Sequence, residues 1–86
     1  MSHELTFKAS AQRQFMRLPQ PVKEEVARRL EALQADPRGP GVEALTGQFK
    51  GLFRVRVRSY RAVFAIDDAA RRIIVTRVAH RGRAYK

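Results

Sequence analysis

Residues 53–64 read Phe53-Arg54-Val55-Arg56-Val57-Arg58-Ser59-Tyr60-Arg61-Ala62-Val63-Phe64. The first six alternate apolar and basic, and a period of two is the signature of a strand with one buried face. Phe53, Val55 and Val57 then share one face, with Arg54, Arg56 and Arg58 on the other. Ser59 supplies the turn into a second strand over residues 60–66, where Tyr60, Ala62, Phe64 and Ile66 share the apolar face. Arg61 opens that strand, close enough in a tight hairpin to join Arg54 and Arg56 in a two-dimensional basic patch. Asp67 and Asp68 carry turn chemistry before a third strand over residues 72–78, which completes an antiparallel meander.

Upstream of the meander the periodicity changes. Leu5 and Phe7 alternate with polar neighbours over residues 4–8, a short half-buried strand. Ser10 is placed to cap a helix over residues 11–18, whose Ala11, Phe15 and Leu18 lie at i, i+4 and i+7, and Pro19 ends it. Pro21 suits the first turn of a second helix reaching Ala35, with Val22, Val26, Leu30 and Leu33 as its apolar stripe. The Asp-Pro-Arg-Gly-Pro-Gly run at 36–41 cannot continue a helix and forms the crossing loop. The order predicts an α+β fold: an N-terminal strand, a two-helix hairpin and a three-stranded meander. The helices cover one sheet face and leave the other open.

Length and charge narrow the function. Eighty-six residues allow one domain, taken as 1–86. No run of apolar residues is long enough for a membrane span, and no signal peptide is visible, so a cytoplasmic location without membrane attachment is expected. There is no cysteine, which removes disulfides, thiolate zinc sites and thiol nucleophiles. Residues 1–49 hold 7 basic and 6 acidic side chains, net +1, whereas residues 50–86 hold 11 and 2, net +9. Arginine supplies 14 of the 18 cations, and its planar fork matches phosphate oxygens bidentately. Charge so concentrated on alternating strand positions points to a polyanion, above all single-stranded RNA. Tyr60 reads as core, while Tyr85 either anchors the C-terminus or reaches a site.

The ordered set of short motifs resembles the RelE/ParE superfamily of bacterial toxins, and most closely its RelE-like ribonuclease branch. It comprises the strand with Phe7, Leu18-Pro19, the Leu33 to Pro37 segment and Leu45-Thr46-Gly47. Phe53-Arg54-Val55-Arg56-Val57, Tyr60-Arg61-Ala62-Val63-Phe64, Val78-Ala79-His80-Arg81 and Tyr85 complete it. The resemblance implies a type II toxin, neutralised by a cognate antitoxin, that enters the ribosomal A site and cleaves mRNA. Operator DNA would be bound only by the toxin–antitoxin complex. By the same resemblance Arg54 and Arg56 hold the RNA backbone, Arg61 and Arg81 stabilise the scissile phosphate, and Tyr85 stacks on a base or shares in proton transfer. Glu43 and His80 are further candidates, and Arg58 and Arg83 extend the RNA-contacting set.

Two histidines and no acidic cluster beyond Asp67-Asp68 give poor support to a two-metal site, so a reaction without metal or cofactor is expected. The RNA 2′-hydroxyl is then the nucleophile, and arginines stabilise the phosphorane charge. Arginine stays protonated and cannot act as the base, which leaves Glu43, His80 and Tyr85, with His80 considered also as the acid. Two other functions fit parts of the sequence: a ParE-like inhibitor of DNA gyrase, and a non-catalytic RNA- or ribosome-binding protein.

Overall fold

The computed structural model describes residues 2–80, in which two helices lie on one face of a five-stranded sheet. Strand β1 (Glu4–Phe7) leads into α1 (Ala9–Met16) and α2 (Gln20–Ala35). After the loop come β2 (Val42–Ala44), a short 3-10 turn (Gly47–Phe49), β3 (Phe53–Val57), β4 (Tyr60–Asp67) and β5 (Arg72–His80). The spatial order is β1-β5-β4-β3-β2, with β1 parallel to β5 and every other pair antiparallel. The parallel pair follows from the helical crossover that separates β1 from the meander.

The predicted stripes meet in the core. Ala11, Leu18, Val22, Val26, Leu30 and Leu33 from the helical layer pack on Val55, Val57, Ala62, Phe64, Ile73, Val75 and Val78. Tyr60 and Ile66 join the rim of this cluster, as their strand face requires. Phe53 and Phe64 face each other across β3 and β4, with ring centroids 6.0 Å apart.

Four local differences from the sequence reading have physical causes. First, α1 starts at Ala9, and Lys8, not Ser10, is its cap residue. The Lys8 N–H donates to the Val75 carbonyl at 2.8 Å, which keeps Lys8 extended, and the Lys8 carbonyl then accepts from Gln12 N–H at 2.9 Å. Sheet pairing thus decides where the helix begins. Second, β2 adds an unexpected strand of three residues, too short to show a period; Gly41 opens it at φ +85°, a left-handed backbone cheap only for glycine. Third, β3 ends at Val57, and Arg58 has φ +54° in the turn. Fourth, β5 runs on to His80.

The far end of the sheet is tied by charge. Arg38, from the 36–41 loop, donates two hydrogen bonds to Asp68 at 3.1 and 3.0 Å and lies 5.4 Å from the centre of the Phe53 ring. Asp67 closes its own turn by accepting from Ala70 N–H at 3.1 Å. The hydrogen bonds from Arg38, aided by the nearby His3, hold the Asp68 carboxyl below its ordinary range. This depression stabilises the fold above the unfolded-state pKa, and the contribution disappears as pH falls through the lower folded-state value.

Two outcomes follow. Phe64 is 0% exposed, and Phe64→Ala should cost about 3–5 kcal/mol in urea denaturation. Asp68→Asn should lower the denaturation midpoint at neutral pH, and the gap from wild type should close as pH falls through and below the ordinary carboxylate range.

Candidate nucleic-acid interface

Strand register decides which side chains share the sheet face turned away from the helices. Val55 and Val57 are buried beneath the helices, so Arg54 and Arg56 project to the opposite side. Arg56 is directly opposite Arg61 on β4, and Arg61 in turn is opposite Ala79 on β5. One row along the strands, Glu43, Arg54, Val63 and Arg77 stand side by side across β2, β3, β4 and β5. Val63 is 3% exposed although it lies outside the helix-facing core cluster.

The two rows differ electrostatically. Arg54 donates through Nε and Nη2 to Glu43 Oε1 at 3.3 and 3.0 Å, so the carboxylate lies at the edge of the basic face. Arg56 and Arg61 have no carboxylate partner among the described residues. Like charges directly opposed on neighbouring strands destabilise the pair. Arg61 Nε is also buried without a hydrogen bond, at a cost of about 1–3 kcal/mol. An anion held between the two guanidinium groups would relieve the like-charge opposition. By contrast, the peripheral Arg38, Arg58 and Arg72 each hold a carboxylate.

Beside Arg54 the face opens into a cleft of about 300 Å³, lined by Glu43, Ala44, Leu45, Thr46 and Phe49. It places an aromatic side chain and a carboxylate next to the arginines. Among the described residues no group of three or more His, Cys, Asp or Glu side chains is arranged to hold a metal ion.

Arg54, Arg56, Arg61 and Glu43 therefore come together, while two other candidates do not join them. The Arg58 Nε donates to Glu25 of α2 at 2.9 Å, because the turn at Arg58 takes it off the alternating face. His80 is opposite Tyr60, edge-on at 5.3 Å between ring centroids, and lines a groove with Gln14, Arg17, Leu18 and Pro19 on the helix-facing side. Arg81, Arg83 and Tyr85 lie outside the described residues. Arg77 is the arginine that the sequence reading missed. Counting by twos from Ile73 and Val75 assigns Arg77 to the core face, but Thr76 is an extra residue opposite the Val63–Phe64 step. Its hydroxyl donates to the Val63 carbonyl at 3.2 Å. This β-bulge sends Val78 into the core and Arg77 to the arginine face. No signal in the residue pattern alone marks it.

Comparison with known proteins agrees with this architecture. The chain superposes on the RelBE2 toxin–antitoxin complex from Mycobacterium tuberculosis with a TM-score of 0.84 and 26% identity, over 94% of this chain and 93% of that one. The isolated RelE toxin of E. coli matches with a TM-score of 0.82 at 23% identity, over 98% and 92% of the two chains. The archaeal RelE–RelB complex from Pyrococcus horikoshii matches at 0.81 and 21%, over 98% and 100%. A comparison with curated protein sequences gave no match. The family model described as the ParE toxin of type II toxin–antitoxin systems matches residues 5–85. With nearly its whole length covered and the RelE fold beneath it, the chain belongs to the RelE/ParE superfamily and is a toxin of a toxin–antitoxin system.

Proposed function

We propose that this toxin is an endoribonuclease that cleaves mRNA in the ribosomal A site and so blocks translation. The observation that carries the reading is the opposed Arg56 and Arg61 pair, with the Glu43 carboxylate on the same face. Two guanidinium groups rising from directly opposed positions on neighbouring strands suit a phosphate that gains negative charge in its transition state, where prepositioned donors have their largest effect. Arg54 adds a backbone contact and holds Glu43 through the ion pair.

In the reaction the 2′-hydroxyl attacks the adjacent phosphorus in line with the departing 5′-oxygen. Glu43 takes the 2′-hydroxyl proton, the O2′–P bond forms, and the P–O5′ bond breaks. The products are a 2′,3′-cyclic phosphate and a 5′-hydroxyl, whose proton comes from Tyr85 or solvent. Arg81 shares the phosphorane charge and Tyr85 stacks on a base, roles carried over from the family resemblance. His80 receives no part in this scheme because its side chain is on the helix-facing side. The chain's net charge of +10 favours an antitoxin that covers the basic face with an acidic or amphipathic segment. The solved relatives that contain RelB support such a partner.

The ParE description of the matching family favours a second reading, inhibition of DNA gyrase without RNA chemistry. One experiment separates them. Toxin is added to a translating extract, mRNA 5′ ends are mapped by primer extension, and DNA supercoiling by gyrase is followed in parallel. Ribosome-dependent cleavage within A-site codons is the expected result, and intact mRNA with blocked supercoiling would replace this proposal with the second reading. Arg61→Ala should slow cleavage by about 10²–10³-fold, the usual effect of losing one transition-state donor. The same substitution should leave the thermal midpoint unchanged or higher, because it removes a like-charge opposition. Glu43→Gln should lower kcat more than KM, whereas loss of a purely structural ion pair would not produce that split.

A further inference from the structure

Arg77 has no place in the mechanism above, yet register sets it on the reacting face. Val63 lies between Arg54 and Arg77, and Arg61 precedes Val63 by two residues on the same strand face. Arg77 is therefore the diagonal neighbour of Arg61 across the β4–β5 pair, a relation that spans about 7–8 Å. Successive phosphates along an extended single strand are separated by a similar distance. The bulge at Thr76 lies between Arg77 and Val75, so it does not disturb the regular pairing of Arg61 with Ala79 and Val63 with Arg77. Arg77 is partly buried, and its guanidinium starts from the second row of the face, beside the apolar Val63 surface.

We propose that Arg77 binds the phosphate next to the one gripped by Arg56 and Arg61. The inference rests on the reading of this face as an RNA site, and it makes Arg77 a substrate-positioning residue. The two rows would then hold two consecutive phosphates: Arg56 and Arg61 the reacting one, Arg54 and Arg77 its neighbour. A second held phosphate adds binding that the ground state and the transition state share, so it tightens hold on the strand and leaves the chemical step to Arg56 and Arg61. The required ligand is a single strand with an extended backbone.

The test uses Arg77→Gln, which keeps most of the aliphatic stem beside Val63 and removes only the charge. Binding of a non-cleavable 2′-deoxy oligonucleotide to the full, antitoxin-free chain is measured over a salt series. Wild type, Arg77→Gln, Arg77→Lys, Arg61→Ala and Arg72→Ala are compared. Arg72 serves as the charge control because it is paired with Glu4 at the other end of β5. Each lost phosphate contact should reduce the slope of log K against log salt by about 0.7. Arg77→Gln and Arg61→Ala should both show that reduction, while Arg77→Lys and Arg72→Ala keep the wild-type slope. In cleavage, Arg77→Gln should raise KM about tenfold with kcat within about twofold, whereas Arg61→Ala lowers kcat. A wild-type slope for Arg77→Gln beside a reduced one for Arg61→Ala would overturn this inference and leave the RNA reading intact. Unchanged slopes in both would overturn the RNA reading itself.

Discussion

The register between β3 and β4 is the constraint on which the rest of the molecule depends. Phe53 opposes Phe64, Val55 opposes Ala62, and Val57 opposes Tyr60, and helix packing over these pairs leaves no alternative alignment. A slip by one residue would exchange the two faces, burying arginine under the helices and exposing the valines. The same register brings Arg56 against Arg61. Hydrophobic burial on one side of the sheet therefore imposes electrostatic repulsion on the other. The apolar term wins because each buried aliphatic or aromatic side chain contributes about 1.5–3 kcal/mol, whereas one cross-strand pair is worth about 0.2–1 kcal/mol.

That balance explains how a face so poor in counter-charge survives. Carboxylates are distributed to the periphery: Glu4 holds Arg72, Glu25 holds Arg58, and Asp68 holds Arg38. Among the described residues Glu43 alone brings a carboxylate to the open face, and it does so from the edge strand, where its partner is Arg54 and not the opposed pair. Under the function proposed above, the opposed Arg56 and Arg61 are the place where an anion would bind. A phosphate there would offset the like-charge opposition that the register imposes. The site is set on three adjacent strands of a packed sheet and not on loops, which keeps its guanidinium origins at fixed spacing.

Much of this was legible in the residues. The two apolar stripes of the helices, the alternation over 53–58 and the apolar face of Tyr60, Ala62, Phe64 and Ile66 each carry a period that local geometry enforces. The grouping of Arg54, Arg56 and Arg61 followed from the same count. Ser10 misled because a good capping side chain is only a local preference, and the Lys8 to Val75 hydrogen bond overrides it. Strand β2 left no trace because three residues contain no period, and its pairing with Val55, Arg54 and Phe53 is what defines it. His80 was drawn to the site by proximity to the candidate Arg81, although strand parity places it beside Tyr60.

The amino-acid sequence by itself determined the layers, the buried face of each element and the sign of the open face, because these depend on periodicity and charge count. Only the tertiary structure decided which arginines belong to that face. Arg58 left it through a turn of positive φ and an ion pair with α2, and Arg77 entered it through one extra residue at Thr76. Both depend on how two strands end or slip against each other. A period of two assigns faces only while the ladder is unbroken, and a turn or bulge is settled by the partner strand.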